Sequence, residues 1–298
     1  MQEGIVMKVL SNYVQVISKQ QVYLCTLRGR LKKEKKTILT GDKVQITLID
    51  KENAVVEEVL PRKSILKRPS IANAERVFVV SSTMRPTFQM ELLDRMLAIL
   101  EYKELEIVIC INKSDLLDTM DETKKNNIVS AAEYYQNIGY SVFLTSCKDE
   151  HSIEKVREAC QGKISVMAGP SGVGKSSLLN AVKPALDLPT NQVSHKSGVG
   201  RHTTRHVELL RVGEDGLMAD SPGFGALSFD QEMDKRSLGF CFIDMIPYIP
   251  LCRFNSCLHD KEPDCRVKQA VEEKKIDARR YEHYLQFLEE IAELKRRY

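Results

Sequence analysis

Residues Gly169 to Ser176 read GPSGVGKS, the spacing G-x4-G-K-[ST], and the apolar run Ile164 to Ala168 before them reads as a buried strand. Small residues at these positions let a backbone close around a nucleotide's β-phosphate. The N–H groups from Gly172 to Ser176 then turn inward, and the following helix adds its positive N-terminal end. In that arrangement Lys175 reaches the β- and γ-phosphates and Ser176 a Mg2+ ion. The residues expected at the phosphates are Gly169, Pro170, Ser171, Gly172, Val173, Gly174, Lys175, Ser176 and Ser177. A glycine-rich turn without a ligand shares part of the pattern, but here strand, loop, Lys, Ser and helix all agree.

Upstream, the apolar strand Ile107 to Ile111 ends in Asn112-Lys113-Ser114-Asp115, which matches the guanine-reading pattern NKxD. A carboxylate at Asp115 offers two acceptors to guanine N1–H and N2–H2, whereas adenine presents a lone pair at N1 and no amino group at C2. A site built to pair polar groups rejects a ligand that leaves them unpaired by roughly 10^4 to 10^5. An Asn/Asp turn capping a helix is the alternative for this tetrapeptide alone. Thr145-Ser146-Cys147 ends the strand Tyr140 to Leu144 and resembles a short loop whose backbone meets guanine O6. His202-Thr203-Thr204 lies in the polar stretch Ser194 to Arg205 and resembles a first switch loop, which brings a Thr hydroxyl, from Thr203 or Thr204, to Mg2+. Asp220-Ser221-Pro222-Gly223 follows an expected hairpin, His206 to Val212 and Leu217 to Ala219, and matches DxxG. There Asp220 would hold Mg2+ through water and the Gly223 N–H would sense the γ-phosphate.

In ordinary GTPases the phosphate loop and the switches precede NKxD; here NKxD and the Thr145 loop come first. The chain resembles a circularly permuted GTPase, and with that order it is similar to the ribosome small-subunit-dependent GTPase A family. The resemblance implies an α/β fold: an OB-fold over 1–66 that binds RNA, a permuted P-loop GTPase domain over 67–228 and a zinc-binding, mostly helical domain over 229–298. It also implies GTP hydrolysis in late maturation of the 30S subunit, docking on rRNA in the GTP state and release on hydrolysis. The residue after Gly223 is Phe224, whose ring cannot orient water, so slow turnover without the subunit is expected. By resemblance to the family's HTT region, His202 is the candidate catalytic group beside Lys175, Thr203 and Thr204; a surface histidine is the alternative.

The short runs Tyr13 to Ile17, Gln21 to Leu27, Lys43 to Ile49 and Val55 to Leu60 suit the expected barrel, although other small barrels fit as well. Residues 1–68 hold 14 Lys or Arg against 7 Asp or Glu, while 229–298 hold 13 against 14. The basic clusters Arg28 to Lys36 and Arg62, Lys63, Lys67 and Arg68 are solvated loops or, on such a barrel beside a GTPase, RNA-backbone contacts. In the tail, Cys252-x4-Cys257-x-His259-x5-Cys265 offers three thiolates and an imidazole to one tetrahedral Zn2+, a structural site with no open position. The remaining cysteines form no disulfide framework. Expected helices are Glu91 to Glu101, Asp121 to Gln136, Ile153 to Cys160, Lys175 to Val182 and Ile276 to Leu294. No signal peptide or membrane span is evident, so a cytoplasmic monomer is expected, with GTP or GDP and the 30S subunit as partners. Two rivals share single motifs: an ATPase or nucleotide kinase with only the phosphate loop, and an RNA-binding, zinc-stabilised adaptor.

Overall fold

The computed structural model describes residues 1–33, 37–67, 70–183, 207–220, 228–229 and 233–296. Five strands open the chain: β1 (Gln2–Val9), β2 (Val14–Ser18), β3 (Gln21–Leu27), β4 (Lys43–Leu48) and β5 (Asn53–Val59), with the short helix α1 (Gly29–Lys33) after β3. They pair in the order β1-β2-β3-β5-β4, and β4 returns to β1, which closes a barrel. The β3–β5 pair is parallel and the others are antiparallel. Alternation explains the closure: Val14 and Val16, Tyr23 and Cys25, Val44 and Ile46, and Ala54 and Val56 all point into one core.

Sequence reading found four of these strands and missed β1. Its register shifts between Val6 and Lys8, so Val6 and Met7 are buried in succession and the period-2 signal fails. It also missed β6 (Ile65–Lys67) and β7 (Ser70–Ala72), a hairpin of three-residue strands. Buried Asp42 fixes that segment by accepting from Arg62 Nε (2.6 Å), while Asn73 Nδ2 donates to the Gly41 carbonyl (2.9 Å).

The chain continues through β8 (Arg76–Ser82), α2 (Met90–Glu101), β9 (Glu106–Asn112), α3 (Glu122–Asn137), β10 (Ser141–Thr145), α4 (Glu150–Cys160), β11 (Ile164–Ala168), α5 (Lys175–Val182), β12 (Glu208–Val212) and β13 (Gly216–Asp220). The tail carries α6 (Lys235–Phe240), α7 (Arg266–Glu272) and α8 (Ala278–Arg296). The five expected helices are present with ends shifted by up to three residues, and α6 and α7 were not expected. Contacts divide the chain into two units: Met1–Glu75, Ile153–Met167 and Ser176–Phe224, and Arg76–Ser152, Ala168–Lys175 and Gly225–Tyr298.

Within the first unit, β11, β13, β12 and β1 are neighbours in that order, with β11 parallel to β13 and β12 joined to β1 at Glu208 opposite Lys8. Lys8 Nζ and Glu208 Oε2 form an ion pair at 2.6 Å.

Within the second unit, β8, β9 and β10 are parallel, and the near-continuous apolar sequences of β8 and β9 suit strands covered on both faces, while β10 is partly exposed. Register places Asn112 opposite both Ser82 and Thr145, so three loops leave one carboxyl edge of the sheet together. Helices α2 and α8 share a core with the tail, including Ile99, Phe242, Met245, Tyr284, Phe287 and Ile291. At its edge the fully buried Arg280 donates Nε to Asp244 (2.9 Å) and Nη1 to Asp94. Tyr135 donates to Asp94 (2.6 Å) and Tyr134 to Asp244 (2.7 Å), which joins α2, α3 and the tail through one desolvated charge cluster. No helix among the described residues is long and apolar enough to cross a membrane.

Candidate functional site

The phosphate loop leaves β11 through Gly169 (φ 149°) and turns through Gly172 (φ 82°) and Gly174 (φ 96°) into α5. Gly174 is required twice over. Its φ lies where side chains are strained, and a Cβ there would stand 2.4 Å from Asn112 Nδ2. Lys175 Nζ donates to the carbonyls of Gly169 and Pro170, both at 2.7 Å, and burial lowers its pKa. Ser171 is exposed, Val173 is buried, and Ser176 and Ser177 are exposed in the first turn of α5.

Two side chains from the end of β9 fasten this loop. Buried Asn112 donates Nδ2 to the Val173 carbonyl at 2.8 Å and accepts from Thr145 Oγ1 at 3.2 Å. Lys113, in the left-handed region (φ 62°), sends Nζ to the carbonyls of Gly172 (2.8 Å), Met84 (3.2 Å) and Arg85. Asn112 and Lys113 therefore act on the phosphate loop itself. Segments about 60 residues apart and in permuted order converge on one place, as the motif spacing predicted.

Asp115 follows two residues on, in the 3-10 turn that begins at Ser114, where Oδ1 accepts from Ser146 Oγ (2.8 Å) and Oδ2 from Lys148 Nζ (2.7 Å). Lys148 and then Ser146 hold its carboxyl below the usual carboxylate range, so it is ionised at neutral pH. An ionised carboxylate has about four acceptor sites, which leaves two for further donors. Ser146 is itself fixed, its N–H donating to Ser152 Oγ at 3.1 Å, and the adjacent Cys147 is exposed. Sequence reasoning named Thr145 in this loop but missed Lys148 and Ser152 as parts of the arrangement. Lys148 follows Thr145-Ser146-Cys147 directly, but its pairing with Asp115, like the Ser152 contact, is one that spacing does not reveal.

Asp220 ends β13. His202, Thr203, Thr204 and Gly223 lie outside the described residues.

In the tail, the donor atoms of Cys252, Cys257, His259 and Cys265 all lie within 4.8 Å of one another. Cys252 Sγ is 3.9 Å from Cys265 Sγ and 3.6 Å from His259 Nδ1, and Cys265 Sγ is 3.5 Å from the same nitrogen. A tetrahedron with Zn–S bonds of about 2.3 Å has S···S edges of about 3.8 Å, so these spacings fit a zinc ion. Burial lowers the His259 pKa, which favours the neutral ligating imidazole, and pushes the Cys257 thiol up to about 12. Thiols this close become thiolates readily only when a cation neutralises them.

Residues 59–230 match the family model described as RsgA GTPase, and residues 3–56 match the RsgA N-terminal domain. The chain belongs to the RsgA GTPase family. Proteins named small ribosomal subunit biogenesis GTPase RsgA from Shouchella clausii and Bacillus subtilis are each 42% identical to it over the whole of both chains. The crystal structure of YloQ, a circularly permuted GTPase, matches at TM-score 0.84 and 39% identity, covering 98% of this chain and 96% of that one. That of YjeQ from Thermotoga maritima matches at 0.83 and 35%, covering 98% of each. Like other RsgA-family members the chain is a GTPase, a permuted P-loop domain accompanied by an OB-like barrel and a helical C-terminal region.

Proposed function

We propose that this GTPase acts in late maturation of the 30S ribosomal subunit, docking on rRNA in its GTP state and leaving on hydrolysis. The observation that carries the reading is the pair of bonds from Asn112 and Lys113 to Val173 and Gly172, because it joins a base-reading segment to a phosphate loop. Asp115 pairs with guanine N1–H and N2–H2, and the Ser146-Cys147 backbone meets O6. Residues Gly169 to Ser177 hold the phosphates.

The exposed Ser176 hydroxyl beside Lys175 is a hard oxygen donor suited to Mg2+. Ser176, Thr204 and Asp220 would hold that ion, which when bound neutralises phosphate charge. Lys175 orients the β- and γ-phosphates, Thr203 or Thr204 completes the ion site, Gly223 senses the γ-phosphate and His202 positions water. Cys252, Cys257, His259 and Cys265 would hold one structural Zn2+, which when bound would fix the tail.

The division into 1–66, 67–228 and 229–298 assigns RNA contact to the basic barrel, nucleotide chemistry to the middle and metal binding to the tail. The protein works in the cytoplasm as a monomer. A GTPase assay with and without isolated 30S subunits tests base, reaction and partner together. Turnover that the subunit leaves unchanged counts against the partner, and hydrolysis of ATP as fast as GTP counts against the base.

A further inference from the structure

The lysines beside the phosphate loop are engaged. Lys113 bonds three carbonyls, Lys148 is paired with Asp115, and Lys175 donates to the Gly169 and Pro170 oxygens. Arg85, whose backbone carbonyl accepts from Lys113, is exposed, and its guanidinium makes no hydrogen bond or ion pair among the described residues. Its backbone is held at φ 52°, in the left-handed region that a long side chain rarely adopts. The restraint is visible: the ammonium that bonds the Arg85 carbonyl also bonds that of Gly172. Two oxygens sharing one donor lie within about 6 Å of each other. Pro86 Cδ stands 3.5 Å from where a Cβ on Gly172 would be, and Pro86, Thr87, Pro170 and Ser171 line one crevice. Strained backbone held by its surroundings clusters at functional sites.

We propose that Arg85 is a cation supplied in cis to the β–γ side of the bound nucleotide, a catalytic residue for hydrolysis. The proposal rests on the reading of residues 169–177 as the GTP phosphate site. In the reaction, a water oxygen bonds to the γ-phosphorus as the bond from phosphorus to the β–γ bridging oxygen breaks. The electron pair stays on the β-phosphate of GDP and the water's proton leaves with the released phosphate. Arg85 takes no proton. Its planar, permanently charged fork meets the charge that grows on the bridging and γ oxygens. This role suits a chain in which Phe224 follows Gly223, because charge neutralisation from the β8–α2 connection does not depend on a water-orienting glutamine.

The test uses the full chain with Arg85→Asn, which tolerates the left-handed backbone and removes the charge, and Arg85→Lys, which keeps the charge without the fork. Single-turnover phosphate release is measured at saturating GTP, and GDP affinity by titration. The expected result is release slower by about tenfold or more for Arg85→Asn, an intermediate rate for Arg85→Lys, and GDP affinity within about threefold of the unaltered chain for both. Release by Arg85→Asn within about twofold of the unaltered rate overturns the proposal alone, as does a loss of GDP affinity equal to the loss of rate, which marks a structural role. Failure of the unaltered chain to bind GTP overturns the reading of the phosphate site, and this proposal with it.

Discussion

Replacing Asp115 by Asn separates base recognition from every other function of the site. In the structure the carboxylate accepts from Ser146 and Lys148 and retains acceptor sites for guanine, so the ligand does not have to displace either partner. The amide keeps one acceptor and turns an N–H2 toward one of guanine's donors, so one hydrogen bond loses its charge assistance and the other is replaced by a repulsive contact. Hydrogen bonds to charged groups contribute about 1.5–3 kcal/mol each. Asp115 is partly exposed, so solvent screening argues for the lower end, about 3 kcal/mol for the two. That is a loss of GTP affinity on the order of 10^2-fold. Xanthine carries a carbonyl at C2, which accepts from the new N–H2 while N1–H donates to the amide oxygen, so xanthosine triphosphate should bind better to Asp115→Asn than GTP does. Titration of both nucleotides against both proteins by competition with a fluorescent GDP reads this directly. Equal weakening of the two nucleotides, or unchanged GTP affinity, would show that Asp115 does not face the base.

Gly174→Ala should abolish nucleotide binding while leaving the circular dichroism spectrum intact, because the methyl collides with Asn112 Nδ2 and breaks its bond to Val173; retained GTP binding would contradict that geometry. Arg280→Ala leaves Asp94 and Asp244 buried without their cation and should cost about 3–5 kcal/mol in urea unfolding, whereas the exposed Lys124→Ala should cost under about 1 kcal/mol. Purified protein should carry one zinc by elemental analysis, and Cys257→Ser should lose it and expose the tail to limited proteolysis; a metal-free chain with a protease-resistant tail would refute the site. Asp115 is held below the usual carboxylate range, so its charge persists as pH falls and is lost only below the ordinary value; GTP affinity should be flat between about pH 8 and pH 5, and a decline near pH 6 would point to another titrating group.

What the sequence disclosed and what it concealed divide along a physical line. Phosphate and base recognition depend on backbone turns and single side chains at fixed spacing, so GPSGVGKS and NKSD could be read directly, and the bonds from Asn112 and Lys113 to Val173 and Gly172 bring the two motifs together despite their permuted order. The Cys and His residues of the tail were equally legible, since a metal site needs particular donor types within a short span. Contacts between distant elements left no such trace. Nothing near Asp94, in the apolar helix α2, signals that it accepts from Arg280, 186 residues away, and the amphipathic pattern of α8 marks Tyr284 and Leu288 as core without indicating that the arginine one turn earlier is buried too. Strand β1 was lost because a register shift buries two successive residues, and Lys148 because a lysine after Cys147 has no meaning until Asp115 is placed opposite. The same limit explains Arg85. Its position next to Gly172 follows from the reach of Lys113 across two loops, and a cation in an otherwise ordinary β–α connection becomes a candidate for chemistry only when that ammonium is seen to hold both carbonyls.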